Sequence, residues 1–346
     1  MKNYKYKLCI CYATYNRGDV FFHDISTLLV NNKDQRFCIN IQDNCSTDGS
    51  FEKWDDIKDD RLTVRRNEKN IGAIPNSRAS LSNHPGVEYV MYCIDKDYVN
   101  PIYLSQFLDY LDEKEPAFGY IDLYNKVNGE AELYKKGCEA ILNTSYLSRH
   151  PSGFFWKTEL LENEFSQQYF KQTNPTFDFW FDLMTAHFAV KYDGVIVKIP
   201  VFIQNQYREE YKDGGEKSLT YNTDNIYFGV PKRLETYSLY IDDLFSLDLT
   251  TKDRKFIAYK QTIRTIGLLT FEFRSILNND TICGHYWLQK RKVGFLELMQ
   301  NVRQVLNAYS RAMKGREPKI SIAAKSFFLY YAFAFRLISL IIMKRI

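Results

Sequence analysis

Two carboxylates one residue apart, Asp95 and Asp97, close the apolar run Tyr92-Cys93-Ile94. About fifty residues earlier, another strand-like run ends in Gln42-Asp43-Asn44-Cys45-Ser46-Thr47-Asp48-Gly49-Ser50. Along extended chain, residues two apart share a face, so Asp95 and Asp97 can turn into one pocket. With no Lys or Arg built in to neutralise both, such a pair calls for a divalent cation. Hard oxygen ligands suit Mg2+ or Mn2+, ions commonly shared with substrate phosphates. In an open α/β sheet, strand ends of this kind form the crevice where ligands bind.

The elements that must position these residues follow from hydrophobic periodicity. Apolar runs at 7–12, 37–41, 62–66 and 89–94 read as strands, with further candidates at 117–123 and 195–201. Helical spacing covers about 19–31, 51–57, 74–82 and 101–113, with Asn70-Ile71-Gly72-Ala73 as the turn that opens the third. Pro151-Ser152-Gly153-Phe154-Phe155-Trp156 lies between the last two strand candidates. A helical, aromatic stretch follows it through Phe177-Asp178-Phe179-Trp180-Phe181-Asp182. Alternating strands and helices with short links predict an α/β fold, a Rossmann-like, mixed and mostly parallel sheet flanked by helices. Asp213-Gly214-Gly215-Glu216 reads as a loop, and beyond about Pro231 only helical periodicity remains. The expected organisation is one α/β domain over 1–215, in halves of about 1–101 and 102–215, then a helical region over 216–346.

Seven cysteines, an odd number, sit mostly inside apolar runs, among them Cys9, Cys11, Cys38 and Cys93. That pattern suits reduced, buried thiols in a cytoplasmic protein. The lack of a CxxC pair with a matching partner argues against a structural zinc site. The polar start, residues 1–7, leads straight into a strand and does not read as a signal peptide. Residues 290–346 hold twelve Lys or Arg against Glu297 and Glu317, a charge of +10 within a whole-chain charge of +4. The first 289 residues are therefore at −6. An acidic body with a basic, apolar end is not the footprint of a nucleic-acid binder. It suits docking to an anionic surface through the C-terminus.

In order along the chain, strand-TYNR, strand-DNCSTDGS, NIGA with a following Asn, and strand-DKD resemble the family 2 glycosyltransferases of the GT-A fold. The resemblance covers about residues 7–101 well and 152–182 weakly. It implies the GT-A nucleotide-diphospho-sugar transferase fold, and inverting transfer of a sugar from a nucleotide diphosphate to a hydroxyl. By this resemblance Asp97 is the metal ligand and Asp95 contacts ribose or metal-bound water, with Mn2+ or Mg2+ acting on the leaving diphosphate. Lys96, between them, is expected on the other face by alternation. Asp43 would accept a hydrogen bond from the base imide, which favours a UDP-sugar donor. Thr14, Tyr15 and Asn16 would line the base, and Arg17 would lie near the phosphates. Asn44 and Ser46 follow Asp43, and Asn70, Gly72 and Asn76 would form the next wall. Arg78 and Arg208 are lesser candidates for phosphate contacts.

The family's general base usually comes from a pair of acids at the start of a helix beyond the metal site. Here Phe177 replaces the first of them, so the expected base is Asp178, with Asp182, one turn on, as second choice. Ser152, Gly153 and Trp156 fall where the family places a loop touching donor sugar and acceptor, and Trp156 could stack on a pyranose or sit in the core. His150, His187 and His285 are isolated and read as structural.

Residues 326–346 (SFFLYYAFAFRLISLIIMKRI) are nearly all apolar from 327 to 343, interrupted by Arg336 and Ser339. A central Arg costs a spanning helix about 2.5–3.5 kcal/mol, so an interfacial helix fits better, with Arg336, Lys344 and Arg345 at headgroups and Tyr330 and Tyr331 at the boundary. Burial in a core or a dimer interface is the alternative. The expected setting is the inner face of the cell membrane, with a glycan or lipid-linked acceptor in cell-surface polysaccharide, lipopolysaccharide or capsule assembly. Homo-oligomer formation is left open. A nucleotidyltransferase should show a Gly-rich basic loop after the first strand, which Cys11 to Gly18 (CYATYNRG) lacks. A scaffold that kept the fold and lost the chemistry stays open through Phe177.

Overall fold

Leu8-Cys9-Ile10-Cys11-Tyr12 are each at most 1% exposed, the mark of a strand covered on both faces. They lie in β1 (Tyr6–Thr14), which runs parallel to β2 (Phe37–Asp43) on one side and β4 (Val87–Ile94) on the other. The computed structural model describes residues 4–122, 131–163, 166, 179–204, 226–286 and 288–343. The chain divides into two compact units, Met1–Tyr211 and Lys212–Ile346.

In the first unit, β3 (Leu62–Arg66) extends the parallel half beyond β2. Past β4 the sheet becomes mixed. There β8 (Phe154–Lys157) runs antiparallel to both β4 and β6 (Phe118–Ile121), and β6 runs parallel to β9 (Gly194–Val197), whose far edge is β7 (Ala131–Tyr134). The eight strands order as β3-β2-β1-β4-β8-β6-β9-β7. A separate ribbon pairs β5 (Asp97–Val99) with β10 (Phe202–Gln204), antiparallel. Sequence periodicity misses β5, β7, β8 and β10, strands of three or four residues.

Leu8, Ile10 and Tyr12 face α1 (Gly18–Asn31) and α3 (Pro101–Lys114), which bury Phe21, Ile25 and Leu28 and Leu104, Phe107 and Leu111 in one core. Asn100 caps α3 by accepting from the Ile102 amide, with Pro101 supplying a preset first turn. Cys9 and Cys11 take the opposite face by alternation, where α2 (Ala73–Ser80) packs on β1 and β2. Among the described residues the unit also holds α4 (Cys138–Thr144), α5 (Thr158–Glu162) and α6 (Trp180–Lys191).

The second unit is helical: α7 (Val230–Ser246), α8 (Thr251–Gly267), α9 (Phe273–Leu277), α10 (Asp280–His285), α11 (Phe295–Met313) and α12 (Lys319–Ile342). A π-helical turn, Leu268–Glu272, joins α8 to α9. Leu298, Val302 and Val305 of α11 meet Leu329, Phe333 and Leu337 of α12 in its core. Each such side chain contributes about 1.5–3 kcal/mol on burial. The opposite side of α12 is open, with Ile320, Phe327, Phe328, Tyr331 and Phe335 all more than half exposed. This helix therefore has one face in a core and one large apolar face outside it. The expected Lys344 and Arg345 anchors lie outside the described residues.

Arg61 shows how one buried cation closes the parallel half. Its side chain is 3% exposed and donates to the Leu29 carbonyl (2.8 Å), the Asn32 carbonyl (2.7 Å) and the Asp59 carboxylate (2.8 Å). The carbonyls at the end of α1 have no partners within the helix, so this guanidinium caps it. Replacing Arg61 by Met is expected to lower unfolding free energy by about 2–4 kcal/mol, since buried carbonyls and Asp59 lose their donor. Urea denaturation checks this, and an unchanged midpoint would contradict the cap.

Candidate active site

The register Thr14↔Asp43 and Ala13↔Ile94 brings the carboxyl ends of β1, β2 and β4 to one edge. Two loops there are tied to each other. Asn16, at φ 51°, places its amide on Ser46 Oγ (3.0 Å), and its side-chain oxygen accepts from the Thr47 amide (2.8 Å). Asp48 accepts from the Gly18 amide (3.0 Å) and from both the amide and hydroxyl of Ser50. Burial opposes the ionised form of Asp48, yet these bonds outweigh it and hold the carboxyl below its ordinary range. Tyr15, between the tied residues, is 41% exposed, so its ring is available to a ligand.

Asp43 is 1% exposed and accepts from the amide (3.0 Å) and hydroxyl of Ser46, with the Arg66 guanidinium 3.5 Å away. It thus shapes its own loop, and each oxygen keeps a second lone pair. Beside it runs a network of side-chain amides. Asn44 Oδ1 accepts from Asn67 (3.0 Å) and the Ile71 amide (2.9 Å), and Asn44 Nδ2 donates to Asn70 (2.8 Å). Asn67 also donates to Asn76 Oδ1 (2.7 Å) and accepts from Gln42 (2.8 Å). Asn76 Nδ2 donates to the Gln42 carbonyl (3.0 Å). Asn70 Oδ1 accepts from the Gly72 amide, and Gly72 sits at φ 91°, ψ 159°, a conformation essentially restricted to glycine. The wall expected from Asn70, Gly72 and Asn76 is therefore one connected piece. Asn67, its hub, carries no motif of its own and was not anticipated.

The acidic pair is split by its partners. Asp95 Oδ2 lies 2.9 Å from Arg17 Nε, so a cation placed near phosphate by the resemblance neutralises one of the two carboxylates. Asp95 and Asp97 are both buried, and Lys96 between them is intermediate. Burial and the neighbouring Arg17 charge lower the Lys96 pKa. Asp97 is 3% exposed. Its Oδ2 accepts from Ser152 Oγ (2.5 Å) and from His150 Nε2 (2.6 Å). Ser152 Oγ in turn accepts from the Ile94 amide (2.9 Å). Asp97 Oδ1 is buried and, among the described residues, has no hydrogen-bond partner. An anionic oxygen left so costs more than the about 1–3 kcal/mol of a neutral group. A divalent cation held by one or two carboxylates and completed by phosphate and water would satisfy it, so the residues present fit Mg2+ or Mn2+.

The segment carrying His150 and Ser152 is held from below by Asp182. That carboxylate is 1% exposed and accepts from the amides of Leu147 (3.1 Å) and Ser148 (2.8 Å). Tyr146 (φ 56°) and Ser148 (φ 51°) are left-handed here, a backbone that needs such outside support. Asp182, the second choice for general base, is thus built into a clamp, while Asp178, the first choice, lies outside the described residues, as does Arg208. His150 is not an isolated structural histidine but a partner of Asp97. Gly153, at φ 103°, lets the chain enter β8, where a Cβ would meet the Ile121 carbonyl at 2.9 Å. Trp156 is fully buried in β8, its ring parallel to those of Phe154 and Phe181. It is a core residue and offers no face to a sugar, because both faces of β8 are covered and Phe155, on the other side of the strand, is equally buried. Arg78 packs over the Trp180 ring (5.3 Å) and is 7% exposed, so it stands in the packing beneath the wall.

A family model for Glycosyl transferase family 2 matches residues 9–184. No curated protein sequence matches the chain. A crystal structure of S. aureus TarS 1-349 in complex with UDP-GlcNAc is similar over 94% of this chain and 89% of that one, with a TM-score of 0.57 at 17% identity. A crystal structure of S. aureus TarS is similar over 94% of this chain and 54% of that one, with a TM-score of 0.55 at 16% identity. Identity this low speaks for the fold alone, which is the GT-A type in both. With half the chain matched, and the strand-end loops, amide wall and acidic turn all inside that half, the protein belongs to glycosyl transferase family 2 and is a glycosyltransferase.

Proposed function

We propose that the protein transfers a sugar from a UDP-sugar, with inversion and with a divalent cation, to a hydroxyl of a glycan or lipid-linked acceptor at the inner membrane surface. The observation that carries this reading is Asp97, a buried carboxylate whose Oδ1 has no protein donor among the described residues. A bound Mn2+ or Mg2+ supplies charge for the departing diphosphate. Arg17 and Lys96 add two positive groups beside the acidic pair, and the lowered Lys96 pKa would rise again beside an anion. Asp43, through its remaining lone pairs, is the proposed acceptor for a base N–H, and Tyr15 the proposed stacking surface. TarS, which shares the fold, binds UDP-GlcNAc, and that supports a uridine donor. Asp178 is proposed as the general base that takes the acceptor's proton.

The membrane part of the proposal rests on α12. Lys319–Leu340 is long and apolar enough to cross a membrane by length and composition. Its buried stripe, Leu329, Phe333 and Leu337, belongs to a protein core, so one face is already occupied. Arg336 lies over the Phe271 ring (4.8 Å). A helix with one face packed and one bare aromatic face suits lying in the interface, among anionic lipids drawn to the basic end.

Three outcomes are expected. Asp97→Asn lowers kcat/KM by about 10²–10³-fold and abolishes the effect of Mn2+ on nucleotide binding, with circular dichroism unchanged; a fully active variant would remove the metal assignment. Asp178→Asn keeps UDP and Mn2+ binding but lowers kcat by about 10²–10⁴-fold, whereas Asp182→Asn lowers stability by about 1–3 kcal/mol as the clamp on 147–148 weakens. The reverse pattern would make Asp182 the base. Phe328→Glu with Phe335→Glu, both on the bare face, leaves folding intact and removes flotation with anionic vesicles. Unchanged flotation would place membrane contact elsewhere.

A further inference from the structure

The fold gathers a second set of ligating side chains on the opposite face of β1. Cys9 and Cys11 are two apart on that strand and share a face. His84, in the turn after α2, brings its ring to them, so Cys9 Sγ, Cys11 Sγ and His84 Nε2 all lie within 4.8 Å of one another, and all three residues are buried. Cys11 Sγ is 3.7 Å from Cys9 Sγ and 3.6 Å from His84 Nε2. A tetrahedral zinc with Zn–S about 2.3 Å and Zn–N about 2.0 Å sets sulfurs about 3.8 Å apart and sulfur about 3.6 Å from nitrogen. Two edges of that tetrahedron are already present.

The proposed fourth ligand lies outside that group of three and would turn its side chain in on binding. Cys38 of β2 is the Cα partner of Cys9, and it is part-exposed, which gives an ion a way in. None of the four cysteine or histidine side chains takes part in the acidic centre. The turn bearing His84 is held from outside the cluster by Arg65, which donates to the Ser82 (3.0 Å) and Asn83 (2.9 Å) carbonyls. His84 Nε2 also contacts the Ser80 carbonyl at 2.8 Å. Ligation would require that contact to be given up, and Asn40 Nδ2, 3.0 Å from the same carbonyl, would keep it bonded.

We propose that Cys9, Cys11, Cys38 and His84 form a closed, structural site for a soft divalent cation, zinc above all. Its ligand set, three thiolates and one imidazole, separates it chemically from the hard, oxygen-lined acidic centre. An occupied site would pin the turn after α2 to β1 and β2, and so steady the helix whose other end carries Gly72 and Asn76. The absence of a CxxC motif does not weigh against it, because β-strand geometry makes C-x-C the spacing that puts two sulfurs on one side.

The test is reconstitution of the full chain with Co2+ after removal of bound metal. Wild type is expected to take up one thiolate-bound cobalt per chain, seen as sulfur-to-metal charge-transfer bands with tetrahedral d–d bands. Asp97→Asn should show the same bands. In Cys11→Ala and His84→Gln, apparent cobalt affinity should fall by at least about 100-fold, beyond the cost of losing an outer hydrogen-bond partner. If those variants fail to fold, mercurial titration of wild type decides, with zinc released in step with thiol modification as the expected result. Absence of charge-transfer bands in wild type, bands unchanged in folded variants, bands lost in Asp97→Asn, or no zinc released by the mercurial would each overturn the proposal.

Discussion

Asp97 is a carboxylate that the fold buries with one oxygen bonded and the other not, and much of the first unit is arranged around that asymmetry. Ser152 and His150 both serve Oδ2. Arg17 pairs with Asp95. A bare anionic oxygen in a buried place is unfavourable unless a ligand completes it. On the proposed reading, that ligand is a divalent cation.

Keeping that arrangement depends on positioning at three removes. Asp182, on the first turn of a helix, fixes two amides of a left-handed turn; the turn leads to His150 and Ser152; and these reach Asp97. On the wall beside Asp43, Asn67 links Gln42, Asn44 and Asn76, so hydrogen bonds tie the ends of β2 and β3 to α2. Buried polar networks of this sort are costly when half satisfied and rigid when complete. Rigidity is what a transferase needs where charge develops, since preorganised dipoles need not reorient during reaction.

The strands that end in acids were legible from sequence because each is long enough for its apolar run to stand out, and β1 to β4 lie where periodicity puts them. The acidic pair stood out for the same reason, but its shape did not: Asp95 and Lys96 form a turn and Asp97 opens β5, where extended chain was expected. What stayed hidden depends on contact between distant residues. His150 lies 53 positions from Asp97 and Ser152 lies 55, and neither carries spacing that announces a partner. Trp156 looked able to stack on a sugar because an indole suits either role, and its burial comes from β8 lying between β4 and β6, pairings that no local pattern announces. Asp182's clamp on the Leu147 and Ser148 amides was hidden in the same way, since a carboxylate on a first helical turn fits that role as well as a base's. The Cys9, Cys11 and His84 cluster was hidden by the same distance effect, since 73 positions separate Cys11 from His84.

One crystallographic observation bears on the acidic centre more directly than any rate. Crystals of the full chain grown with manganese and uridine diphosphate should show anomalous density for one ion bonded to Asp97 Oδ1 at about 2.0–2.2 Å, a distance typical of small hard divalent ions, with diphosphate oxygens completing its shell. An ion bound elsewhere, or a protein donor occupying that oxygen while the nucleotide is bound, would contradict the role given to Asp97.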